Sequence, residues 1–208
     1  MIRTPTKHSH LQHKDEDGPE RKQGDTWNYR VVVGLLTYLT TAMCLDLAFA
    51  MYQCVRFSIC PKLYHEQAIK IMCRYLKGTV DKGMILQIDE SKGIECYTDA
   101  NFAGGWNKET TTDPTSVLSR AGYIIFYKGC HMTWKSKMET EISLSTTEAE
   151  YISLSQVMRD VIPFIHMSEE LNTNYDLEAN TPKLHCTLFE DNNRAIELAR
   201  TKKYPPRT

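Results

Sequence analysis

Between Trp27 and Leu76 the apolar positions recur at helical spacing. Val32, Leu35, Leu36 and Leu39 predict one helix, and Cys44, Leu47, Ala48, Met51 and Val55 a second. Ala68, Ile69, Met72 and Leu76 predict a third, with Gly78 placed to stop it. Beyond Asp81-Lys82 the period shortens to two, and Gly83, Gly93, the Gly104-Gly105 pair and Gly129 punctuate it. Ile94, Cys96 and Thr98 alternate with Glu95, Tyr97 and Asp99, which reads as a strand ending at a carboxylate. Gly122 to Tyr127 is rich in β-branched and aromatic residues. Lys128-Gly129 then turns the chain into Met132 and Trp134, which alternate with Thr133 and Lys135, so an antiparallel hairpin is expected.

From Ser143 to Leu171 the helical period returns, with Leu154, Val157, Met158, Val161 and Ile165 as its stripe. Pro163 is expected to kink or split this helix. Leu184 to Asp191 predicts a last strand, and Asn192 or Asn193 can cap a closing helix through Ala195, Ile196 and Ala199. The order of three antiparallel strands, helix, strand, helix is an α/β plan with a mixed sheet. It divides the chain into a polar tail over 1–26, a helical segment over 27–82 and an α/β domain over 83–208. The tail has almost no apolar residue beyond Ile2 and Leu11 to bring to a core, and its His8, His10 and His13, on a segment expected to be exposed and without a Cys partner, are weak metal ligands.

Composition adds exclusions. The chain has 208 residues, 41% hydrophobic and 25% charged, which excludes wholesale disorder and fibrous repeats. Its longest apolar runs are broken by Gly34 and Pro163 and are too short to span a bilayer. No apolar segment follows Met1, Arg3, Lys7 and His8, so neither a secretory leader nor a disulfide-forming compartment is expected. The seven cysteines, odd in number and without a CxxC pair, are expected to be buried thiols. A net charge of -1 leaves nucleic-acid binding to local patches.

Three carboxylates stand out. Asp99 and Asp191 lie at strand ends, and Glu150 lies in the first turns of the long helix. Glu150 precedes Leu154 by four residues and so projects along the stripe that faces the sheet, whereas Glu148 lines up with Ile152, Ser155 and Arg159. Thr147 with Glu150 fits the T-x-x-E capping box, and Ser145 with Glu148 fits its S-x-x-E form; only the second leaves Glu150 free. For Asp99 the plain alternative is a turn residue, and for Asp191 a helix N-terminal charge. Taken together, carboxylates from two strand ends and a helix start suit an oxygen-ligand site for Mg²⁺ or Mn²⁺.

The string Leu144-Ser145-Thr146-Thr147-Glu148-Ala149-Glu150-Tyr151-Ile152 resembles the LSSTEAEY signature of the ribonuclease H domain in copia-type retrotransposon Pol polyproteins. Tyr97-Thr98-Asp99-Ala100-Asn101-Phe102-Ala103-Gly104 resembles that family's first-strand motif, and Glu190-Asp191-Asn192-Asn193-Arg194-Ala195-Ile196 its CDNxxAI segment. Upstream, Tyr29-Arg30-Val31-Val32-Val33-Gly34, Asp46-Leu47-Ala48-Phe49-Ala50 and Arg74-Tyr75-Leu76-Lys77-Gly78-Thr79 resemble the stretch that joins the reverse transcriptase to that domain. The likeness implies a ribonuclease H-like fold and assigns Asp99, Glu150 and Asp191 as catalytic, metal-binding acids for two Mg²⁺ (or Mn²⁺) ions. It further implies cleavage of the RNA strand of an RNA/DNA hybrid, and as partners the hybrid and the remaining Pol polyprotein with its reverse-transcriptase domain. The setting it implies is a cytoplasmic virus-like particle or the nucleus.

Departures from the pattern accompany the likeness. Asn101 replaces a second Asp, Cys44-Leu45 replaces Arg-Pro before Asp46, and relatives continue past Arg207-Thr208 with a His- and Asp-containing segment. The sequence therefore reads as a C-terminal Pol fragment, with an inactive remnant that keeps the fold and at most binds nucleic acid or a protein as the alternative. Phosphate contacts are expected from Lys70, Arg74, Lys77, Lys135, Lys137 and Arg194, with Arg56, Lys62, Lys128, Lys202, Lys203 and Arg207 near them. Trp134 is expected to fill the sheet rather than stack on a sugar.

Overall fold

The computed structural model describes residues 5, 11, 27–108, 111–175 and 185–201. The chain divides into two units, Met1–Ile85 with Asn107–Asp113 and Leu86–Trp106 with Pro114–Thr208.

In the first unit, Asn28 starts α1 (Tyr29–Ala42) by accepting hydrogen bonds from the Arg30 N–H at 2.9 Å and the Val31 N–H at 3.4 Å. A 3₁₀ turn, Leu45–Leu47, leads into α2 (Ala48–Val55), and α3 spans Leu63–Lys77. The core joins Tyr29, Val33 and Leu36 of α1 to Leu47, Met51 and Cys54, and to Ile69 and Met72 of α3. Tyr29 can be buried because its hydroxyl donates to the Cys54 carbonyl at 3.0 Å. The buried stripe of α1 is thus Tyr29, Val33, Leu36 and Thr40, rotated by one position from the expected Val32, Leu35, Leu36 and Leu39; Leu35 is 63% exposed. Three consecutive valines offer no contrast in apolarity, so Tyr29 and its hydrogen-bonded anchor set the rotation. Leu11 also packs on this core, a contribution not expected of the polar tail. His8, His10 and His13 lie outside the described residues.

The second unit carries a four-stranded mixed sheet in the order β3-β2-β1-β4, formed by β1 (Ile94–Asn101), β2 (Arg120–Tyr127), β3 (Cys130–Met138) and β4 (Cys186–Phe189). β2 runs antiparallel to both β1 and β3, and β4 runs parallel to β1. Lys128 and Gly129 both adopt positive φ, +49° and +77°, which matches the twist of a two-residue hairpin turn. One face of the sheet packs on α4 (Thr146–Tyr175), where Ile94, Cys96, Tyr123 and Ile125 meet Val157 and Val161. Each such aliphatic side chain contributes about 1.5–3 kcal/mol on full burial. On the other face the Tyr97 and Phe189 rings stack at 4.5 Å, and Trp134 sits opposite Ile124 in the β2–β3 register.

Two expectations are corrected. α4 is not split at Pro163: both Pro163 and Arg159, whose carbonyl loses its N–H partner, are exposed, so water can replace the missing bond, and a proline φ is compatible with a helix. Of the seven cysteines, all free, only Cys54 and Cys96 are buried, while Cys60 and Cys73 are exposed. Sequence alone does not reveal that these two fall on outer positions. α5 (Asn193–Arg200) is capped by Asn192, which accepts from the Arg194 and Ala195 N–H groups, each at 3.1 Å. Among the described residues, no helix is long and apolar enough to cross a membrane.

Candidate metal centre

β1 delivers Asp99 near its C-terminal end, and β2 sets Gly122 directly opposite. A Cβ at Gly122 would meet only backbone oxygens, at 3.9 Å, so nothing crowds Asp99 from that strand. Parallel pairing ends with Tyr97 opposite Phe189, and Asp99 and Asp191 each follow two residues later in the chain. The Asn192 cap holds the segment there as it enters α5.

Glu150 comes from α4, and the start of that helix explains its freedom. Ser145 Oγ accepts from the Glu148 N–H at 3.1 Å, and the Glu148 carboxylate accepts from the Leu144 N–H at 2.7 Å. The cap therefore uses Ser145 and Glu148, and Glu150 faces inward. Ser153, fully buried, draws the helix onto β1: its hydroxyl lies 2.5 Å from that of Thr98 and donates to the Asp99 carbonyl at 3.3 Å.

Carboxylate oxygens of Asp99, Glu150 and Asp191 lie within 4.8 Å of one another. Asp99 and Asp191 are exposed, but Glu150 is only 7% exposed, and its Oε2 is buried without a hydrogen-bond partner. Burial foremost, then the charges of Glu190, Asp99 and Asp191, push the Glu150 carboxyl up to about 7, against a lowering contribution from the Ala100 backbone. A bare, buried carboxylate oxygen surrounded by acids lacks a cationic partner, and all donors in the set are hard oxygens; the residues fit Mg²⁺ or Mn²⁺. Asn101 has its amide against Gly104, where an added Cβ would stand 2.2 Å from Asn101 Nδ2.

The charge of Glu190, a residue that sequence reasoning did not single out, also acts on Glu150, although its carboxylate is not one of the three that converge. Strand alternation would turn it away from Asp191, but β4 ends at Phe189. The only available signal was its adjacency to Asp191. The Asn192 N–H donates to Glu190 Oε1 at 3.2 Å, and burial is the largest of the influences that raise its pKa.

Of the basic residues expected to touch phosphates, Lys70, Arg74 and Lys77 belong to the first unit, and Lys135, Lys137 and Arg194 to the second. Lys70 pairs with Glu66 on its own helix, and Lys135 pairs with Asp160 of α4 at 2.7 Å while lying over the Tyr123 ring. Arg74 and Lys77 are exposed in the last turn of α3, Lys137 is exposed on β3, and Arg194 is exposed on α5. Lys202, Lys203 and Arg207 lie outside the described residues.

Across 181 residues the chain is 32% identical to the retrovirus-related Pol polyprotein from transposon TNT 1-94 of Nicotiana tabacum, covering 86% of this chain and 12% of that one. It is 31% identical over 165 residues to the corresponding polyprotein from transposon RE1 of Arabidopsis thaliana, covering 79% and 10%. These relatives are retrovirus-related Pol polyproteins of copia-type transposons, similar at about 30% identity over most of this chain. The chain spans about a tenth of the length of these Pol relatives. A further relative, named secreted RxLR effector protein 161, from Plasmopara viticola, is 31% identical over 134 residues, covering 64% of this chain and 89% of that protein. No family model and no solved structure matches the chain.

Proposed function

We propose that this Pol region is a metal-dependent ribonuclease H that cuts the RNA strand of RNA/DNA hybrids during reverse transcription. The observation that carries the reading is the gathering of Asp99, Glu150 and Asp191 within 4.8 Å, from three separate elements, at one end of a mixed sheet. Divalent Mg²⁺ or Mn²⁺ held by these residues would supply Lewis-acid polarisation of the phosphodiester and a water of lowered pKa. The rest falls to the chain itself. Asp99 and Asp191 present exposed carboxylates toward the side from which a backbone phosphate would approach. Glu150, buried and fixed through Ser153 on the next turn, sets the depth of the site. Exposed Lys137 and Arg194 offer phosphate contacts within the same unit. The helical first unit is read as the connection from the reverse-transcriptase domain, the expected partner inside a cytoplasmic particle.

The test is cleavage of an end-labelled RNA/DNA hybrid with Mg²⁺, with Asp99→Asn as control. Expected are RNA fragments ending in 3′-hydroxyl and 5′-phosphate groups, lost in the control. Intact hybrid with folded protein would overturn the enzymatic reading and favour a remnant that keeps only the fold; Asn101 in place of a second acid is the feature that favours this alternative.

A further inference from the structure

We infer that Cys96 and Cys186 are the site of a reversible disulfide, formed on reaction with a peroxide, that ties β4 to β1. All seven cysteines are free, so the bond is one made on oxidation. Cys186 opens β4 opposite Ile94, and Cys96 stands two residues beyond Ile94 on β1, so both side chains point to the face that meets α4. Cys96 is fully buried in the core there, and Cys186, half-buried, packs against the same cluster. The two thiols are in hydrogen-bonding contact. Cys96 donates, which holds the Cys186 thiol below its ordinary range against the raising effect of burial and favours the thiolate, the reactive form. Half exposure opens Cys186 to a small oxidant, and Cys96 lies behind it as the second thiol. With hydrogen peroxide the Cys186 sulfur attacks one oxygen: an S–O bond forms, the O–O bond breaks, and the leaving hydroxide takes the thiol proton as water. The Cys96 sulfur then displaces the sulfenic hydroxyl: the S–S bond forms, the S–O bond breaks, and a second water leaves with the Cys96 proton. The two thiols lose two electrons and the peroxide gains them. Cys96 and Cys186 are diagonal neighbours rather than direct partners, and a disulfide needs Cα atoms within about 7 Å, so closing the bond draws β4 along β1. β4 permits this, because it has four residues, lies at the sheet edge and pairs with β1 alone. A bridge closed against the native register is readily reduced, as labile regulatory disulfides are. Asp99 lies three residues past Cys96, and Asp191 five past Cys186, so the shift changes the spacing of the carboxylates. This last step alone rests on the reading of the cluster as a metal site.

The experiment exposes the full, folded chain to hydrogen peroxide, caps the remaining thiols by alkylation and maps the peptides without reduction. Expected is a Cys96–Cys186 cross-link that dithiothreitol removes. In Cys96→Ser the reaction is expected to stop at a Cys186 sulfenic acid, trapped by dimedone. Cys96 and Cys186 left unlinked at a dose that oxidises the exposed Cys60 and Cys73, or Cys186 linked equally to other cysteines, would overturn the inference. That comparison is made on the native chain and does not depend on a variant folding. Mn²⁺ titration of the reduced and oxidised chains then reads the effect on the acids, and the oxidised chain is expected to bind about tenfold more weakly or worse. Equal affinity would overturn the shift of β4. A chain that forms the cross-link but binds no Mn²⁺ in either state keeps the disulfide and sinks the metal reading instead.

Discussion

Replacing Glu150 by Gln separates the cost of this carboxylate from its use. In the folded chain its pKa rises from 4.5 to about 7, so the folded state binds the extra proton over that window while the unfolded state has released it. Stability therefore falls as pH rises from 4.5 to about 7, and the penalty is fully present above 7. At about 1.4 kcal/mol per unit the shift corresponds to roughly 3 kcal/mol. Asp99 and Asp191 are exposed, so water reaches the rim and screens part of it; about 1–2 kcal/mol is expected to be recovered by Glu150→Gln at pH 8. For a domain of this size that raises the melting temperature by about 2–8 °C. The assay is a pair of melts, at pH 8 and pH 4.5, with and without Mg²⁺. The variant should melt higher than the native chain at pH 8 without metal, and equal to it at pH 4.5. Mg²⁺ should raise the native melt and leave the variant nearly unmoved, and hybrid cleavage should vanish. Glu148→Gln should do the opposite, loosening the helix start by about 1 kcal/mol while keeping the Mg²⁺ response. A Glu150→Gln chain that melts below the native one at pH 8 would refute the argument, because the carboxylate would then be held by donors rather than left bare.

Ser153→Ala removes the hydroxyl that joins α4 to Thr98 and to the Asp99 carbonyl, and leaves the Thr98 hydroxyl buried. A loss of about 1–3 kcal/mol in a denaturant melt is expected, with metal affinity weakened but not abolished; an unchanged melt would mean that the helix docks by its apolar stripe alone. At Asp160 burial alone would raise the pKa, but hydrogen bonds from Lys135 and Tyr123, together with the Lys135 charge, outweigh it and hold it below 3.8. Asp160→Asn should cost about 1–2 kcal/mol at pH 7. Because a lowered carboxyl pKa contributes stability that is lost as pH falls through the folded value, the difference should close in melts taken well below pH 3.8. A gap that persists at that acidity would assign the loss to packing instead.

What could be read from the chain depended on whether a single element or a junction decided the matter. Ile94, Cys96 and Thr98 alternate cleanly because one face of β1 meets α4, and Glu150 was found by counting back four residues from Leu154, a relation internal to one helix. The rotation of α1 was not legible, because Val31 to Val33 are equally apolar and Tyr29 OH reaches a carbonyl on another helix. Glu190 was not legible for a related reason. Alternation predicts side-chain direction only while strand hydrogen bonding continues, and the β1–β4 ladder stops at Tyr97 and Phe189. Carboxylates gathered at strand ends therefore sit where sequence periodicity loses its force. Asp99 was visible because it lies in a cleanly alternating strand and Glu150 because it lies on a patterned helix face, whereas Asp191 and Glu190 both lie past the end of β4, where the cap at Asn192 leads the chain into α5.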